Sequence, residues 1–139
     1  MEDIEKIGNA SKGIIFLLIG AAALAAACMS TSDTIDFLRT SIVAPAQVVT
    51  LNHGGSHPEI AFVTTRGQNV SYPQGGFVFG MKVGDQVQVR YLPDAPRATA
   101  RLDQFGAIWS WPIGWGLLGI PFMFGGLGYV MRLRSKGAR

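Results

Sequence analysis

The chain contains a single cysteine, Cys28, so no disulfide can close within it. Charge is scarce too. Asp, Glu, Lys and Arg make up 15% of the 139 residues, against roughly a quarter in soluble domains, while apolar residues reach 48%. Between Ile108 and Val130 there is no charged residue at all. Chemical motifs are equally sparse. The stretch "GGFVFG" lacks the glycine order of a phosphate loop, and no sequence feature brings two carboxylates together for acid–base work. His53 and His57 in "NHGGSH" are spaced like metal ligands on a helix, but Gly54 and Gly55 make the segment a loop, and only Glu59 stands near as a third ligand. Neither an enzyme nor a metal or cofactor site is expected.

The net charge of +3 raises the question of nucleic acid, which its distribution answers. Glu2, Asp3 and Glu5 outweigh Lys6 and Lys12, and acids and bases balance through the middle of the chain. The excess is a tail: Arg132, Arg134, Lys136 and Arg139. A short tag behind an apolar run is not a nucleic-acid-binding face.

Two apolar runs remain. The run from Ile108 to Val130 would extend about 35 Å as a helix, enough for a hydrocarbon core of about 30 Å. Trp109, Trp111 and Trp115 crowd its start, where amphipathic rings favour the headgroup level as interface anchors, and Arg132 and Arg134 close its end. Pro112 falls in the first turn and Pro121 in the interior, where it should kink the helix. The first run, "GIIFLLIGAAALAAACM", is shorter and rich in small residues. Gly20, Ala23 and Ala27 on it, with Gly116, Gly119 and Gly126 on the second, are candidate helix-packing positions; ordinary small residues facing lipid are the alternative. No Asp, Glu, His, Lys or Arg interrupts either run, which argues against a transporter or pump. A homo-oligomer is compatible with these helices, although they offer a pore no polar lining.

The box "LAAAC" also resembles a lipoprotein cleavage site, with Cys28 as the lipidated residue. Against it, the preceding region carries three acids, and Ala25 stands where that motif prefers Leu. The alternative is a small buried cysteine inside a helix.

Between the runs, "APAQVVTLNH", "PEIAFVTT", "QNVSYP", "DQVQVRYL" and "ATARLD" read as five short strands separated by turns at Thr65–Gln68, Gly84–Asp85 and Pro93–Pro96. Val87, Val89 and Tyr91 share one face of their strand, Ile60 and Phe62 of theirs, and Val70 and Tyr72 of theirs, the alternation of a half-buried antiparallel sheet. Asp103 should pair with Arg101 or cap the following helix. Phe77, Val78 and Phe79 are either core or an exposed tip that dips into the membrane or contacts a partner.

The expected fold class is an α+β membrane protein: two transmembrane helices flanking a small five-stranded antiparallel β domain, a partial barrel or twisted meander. Its expected parts are an N-terminus at 1–12, a first span at 13–30, a connector at 31–43, the β domain at 44–103, a second span at 107–131 and a basic tail at 132–139. The positive-inside rule puts both termini in the cytoplasm and the β domain outside the cytoplasmic membrane.

The succession of "AQVVTL", "IAFVTTRGQNVSYP", "VGDQVQVRYLPDAPRATARLD" and a Trp-bearing apolar helix resembles the domain-of-unknown-function family numbered 3592, over most of residues 44 to 125. The shared features are a strand ending in a Thr-Thr pair, a Gly-containing hairpin, a "VGD" turn, a "Y-x-P-x-x-P" segment and an "A-x-x-D" strand. The resemblance implies a small β domain beside membrane helices and no established chemistry. "RGQ" stands where the family often has "DGR".

The function expected from these readings is a non-enzymatic inner-membrane protein acting by protein contact, as an accessory or assembly subunit of a membrane complex. Its partners would be the lipid bilayer and a protein. Two alternatives stand beside it. One is an immunity protein neutralising an envelope-acting or pore-forming toxin; the other is a lipoprotein-like envelope factor lipidated at Cys28.

Overall fold

The computed structural model describes residues 2–52 and 57–137, and these divide into two compact units, 2–30 with 112–137 and 31–52 with 57–111. The first unit is a helix pair. It combines most of α1 (Glu2–Thr40) with α4 (Ser110–Gly137), which continues as helix through Pro121. Stretches of both, Ala10–Thr40 and Ser110–Arg132, are long and apolar enough to cross a membrane.

The connector expected at 31–43 does not exist as such, because α1 runs on to Thr40 and the first strand begins at Ile42. The segment after Met29 is rich in Ser, Thr and Asp, whose side chains compete with the helix for backbone hydrogen bonds. Its hydroxyls instead fold back on helix carbonyls, Ser30 Oγ donating to Ala27 O at 3.2 Å and Thr40 Oγ1 to Asp36 O at 2.8 Å. Thr34 and Phe37 are buried, and the Arg101 guanidinium lies 4.8 Å from the centre of the Phe37 ring. Burial of that face keeps the last turns helical.

The second unit holds five strands, β1 (Ile42–Asn52), β2 (His57–Val63), β3 (Asn69–Pro73), β4 (Gln86–Tyr91) and β5 (Arg101–Leu102), in the order β3-β2-β1-β4-β5, every pair antiparallel. This is not a simple meander. β1 is long enough to serve two partners: Ile42–Gln47 pairs with β4, and Ala46–Asn52 pairs with β2 across an irregularity between Val48 and Thr50. Chain order therefore runs outward from β1 on one side and returns to its other side.

The alternation read from sequence sets the core. Ile60, Phe62, Tyr72, Val89 and Tyr91 are buried, and Val70 and Val87 pack partly buried against them. Ala44 and Ala46 on the central strand are small, leaving room for the rings of Phe62 and Tyr91, whose centroids lie 5.1 Å apart. Each fully buried aliphatic or aromatic side chain contributes about 1.5–3 kcal/mol to such a core.

Two short helices complete this unit, α2 (Pro96–Thr99) and α3 (Phe105–Ile108). A second span opening at Ala107 is thus corrected. The helix breaks at Trp109, and α4 begins at Ser110. Pro112 has no N–H to give the Ile108 carbonyl, so the ladder cannot run through, and the proline falls in the first turn of a new helix.

Candidate interaction surfaces

Four glycines shape the helix pair. A Cβ on Gly20 would stand 2.7 Å from Met123 N, one on Gly119 2.9 Å from Leu24 Cγ and one on Gly126 2.7 Å from Leu17 Cγ. Backbones this close admit no side chain. Gly13 lies in the same seam, where a Cβ would stand 3.0 Å from Tyr129 Cβ. The sequence reading passed over Gly13, although it precedes Gly20 by two helical turns, as Gly119 precedes Gly126. Gly116 does not belong to the seam, since nothing lies within 4 Å of a Cβ there. Ala23 is buried and Ala27 partly so. Phe16 closes the pair edge-on against Phe122 and Tyr129, at 5.3 and 5.8 Å between centroids. Cys28 is exposed on α1, contrary to the expectation of a buried cysteine, because its neighbour Ala27 turns toward the less exposed side.

In the β unit the triplet Phe77–Val78–Phe79 is divided. Val78 is buried in the core and is no contact residue, whereas Phe77 and Phe79 are exposed. The loop carrying them is seated on α3: the Phe77 N–H donates to Gly106 O at 3.1 Å, and the Phe77 carbonyl fills the place a Cβ on Gly106 would need. Gly76, at φ +88°, makes the turn that allows this approach. Next to this seat, Phe105 stacks on Trp109 at 6.2 Å. Trp111 is exposed, and Trp109 and Trp115 are half-buried.

Several polar groups in this unit hold its strands and turns together. The buried Gln74 side chain accepts from the Tyr72 hydroxyl at 2.9 Å and from the Leu102 N–H at 2.7 Å, joining β3 to β5. Burial pushes the Tyr72 phenol well above its ordinary range. Tyr91 accepts from the Thr65 N–H at 2.9 Å, pinning the β2–β3 hairpin to β4. Asp103 neither caps α3, whose N-cap is Gln104, nor pairs with Arg101; it accepts from Arg90 Nε at 2.7 Å. Antiparallel pairing sets Arg90 opposite Arg101, so Asp103, beyond the end of β5, offers the nearest acceptor. Asp85 accepts from the Lys82 N–H within its own turn. A shallow groove of about 270 Å³ on the outer sheet face is lined by Gln47, Ala61, Val63, Asn69 and Ser71.

Among the described residues no three His, Cys, Asp or Glu side chains form a metal-binding group. His53 lies outside the described residues, as does Arg139 of the basic tail; His57 opens β2 and is exposed.

Comparison with known proteins decides what kind of chain this is. The immune protein Tsi4 of Pseudomonas aeruginosa is 41% identical to it over 133 residues, covering 94% of this chain and 90% of the relative. The chain belongs to the Tsi4 family. No protein-family model matches it, and no solved structure does. Membership in the Tsi4 family overturns the accessory-subunit reading: that expectation rested on helix faces suited to packing, and the glycines of those faces are occupied by the contact between α1 and α4 of the same chain.

Proposed function

We propose that this protein is an immunity protein that protects the cell producing it by binding a toxin that acts at the cell envelope. The observation that carries this reading is the identity to the immune protein Tsi4 along nearly the whole of both chains. The protein acts by contact, not chemistry. It is held in the bacterial cytoplasmic membrane by α1 and α4, with both termini in the cytoplasm and the β domain outside. Two helices of spanning length and apolarity support the insertion, and Arg132, Arg134 and Lys136 at the end of the second support the orientation. A β domain on the outer side meets an incoming toxin before or as it reaches the bilayer.

Competition between sister strains tests the proposal. A strain lacking this gene is expected to be killed in contact with its toxin-producing parent and rescued by a plasmid copy. Equal survival of the deletion strain and the complemented strain would sink it.

A further inference from the structure

We infer that the β unit carries an aromatic rim, formed by Phe79, Phe105 and Trp111, that lies in the interfacial layer of the phospholipid bilayer. This rests on the membrane insertion proposed above and adds a second point of attachment to it. Phe79 is 82% exposed, Phe105 70% and Trp111 66%, large rings that a soluble domain of this size would bury or use. They come from two segments distant in sequence and brought together by the seat of Phe77 on Gly106. Phe79 follows Phe77 by two residues, and Phe105 is the neighbour of Gly106.

Two of the rings have a fixed neighbour. Val78 is anchored in the core between Phe77 and Phe79, and Phe105 is stacked on Trp109. That lowers the ordering entropy these two lose when they meet a surface.

Continuity and charge select the lipid interface as the occupant. Trp111 is bonded to Pro112, in the first turn of the helix read as the second span, so one member of the rim is tied to the bilayer by the chain itself. From Gln74 to Gly84 the loop has no acid and one base, Lys82, a pattern that suits anionic headgroups; from Gln104 to Met131 there is no charged residue. Phenylalanine and tryptophan beside a basic residue are the composition of an interfacial anchor.

The test uses the full chain with Cys28→Ala, carrying one nitroxide-labelled cysteine at a time, in vesicles of phosphatidylethanolamine and phosphatidylglycerol. Labels at Phe79→Cys and Phe105→Cys should favour collisions with oxygen over a water-soluble nickel chelate several-fold more than a label at Val63→Cys on the outer sheet face. A label at Leu118→Cys in α4 reports insertion separately. Values at Phe79 and Phe105 matching Val63, with Leu118 protected from nickel, would overturn the rim and leave insertion standing. Nickel access at Leu118 would remove both. Labels that leave water only when a toxin-producing strain's secreted protein is added would assign the rim to a protein partner and overturn the lipid assignment. In Trp115→Phe protein, which keeps every labelled position native, lipids brominated near the headgroup should quench Trp109 and Trp111; no quenching counts against the rim.

Discussion

Gly126 of α4 lies against Leu17 of α1 so closely that a Cβ added to it would stand 2.8 Å from the Leu17 main-chain nitrogen. The backbone cannot yield as a flexible side-chain end could. Gly126→Leu is therefore expected to lose about 1–3 kcal/mol from the helix pair, the usual range for overpacking. Gly116→Leu, with open space around it, should change little. Equilibrium unfolding in detergent micelles compares the two, and equal losses would count against the glycine seam.

Tyr72 gives the β unit a defined alkaline limit. Its phenol ionises well above the ordinary value when folded, because burial disfavours the phenolate, whereas in the unfolded chain it ionises near pH 10. Above that pH the unfolded state has released a proton the folded state still holds, so stability falls as pH rises. Its contribution is fully present below pH 10. Tyr72→Phe should flatten the alkaline loss and cost about 1 kcal/mol at neutral pH, through loss of the bond to Gln74. Denaturant midpoints measured from pH 8 to 11 check both effects.

Phe37 ties the end of α1 to the sheet. The ring is buried beneath the Arg101 guanidinium. Phe37→Ala should cost about 3–5 kcal/mol, the loss typical of a buried aromatic. A double-mutant cycle of Phe37→Leu with Arg101→Met should isolate a coupling of about 0.5–1 kcal/mol for the cation against the ring. Zero coupling would mean that the ring acts through packing alone.

The seat of the aromatic loop depends on Gly106. Gly106→Ala places a methyl group where the Phe77 carbonyl lies, and the loop must lift. Hydrogen exchange at the Phe77 amide, which donates to Gly106 in the folded protein, should then accelerate at least tenfold while the Val89 amide in the core strand keeps its protection. Unchanged exchange at Phe77 would show that the loop is held by Val78 alone.

These relationships divide according to how far the information in the chain is local. Strand faces were legible because alternation has a fixed period. Val89 and Tyr91, Ile60 and Phe62, and Tyr72 turn inward as their spacing implies, and the two apolar runs are helical over most of their length, being too long for buried strands. The basic tail and the crowding of tryptophan at 109–115 are likewise properties of the sequence itself.

Tertiary structure decided what depends on partners distant in the chain. Local propensity marks the Ser/Thr/Asp segment after Ser30 as a stop, but burial of Thr34 and Phe37 against the β unit keeps it helical. Alternation cannot reveal that β1 takes β4 on its free side, since either edge of a strand offers the same hydrogen-bonding groups. Nor can composition separate Val78 from Phe77 and Phe79, or Gly116 from Gly119. Apolar neighbours in one loop and glycines in one helix meet opposite surroundings there, because one side of a loop or helix faces the rest of its unit and the other faces outward.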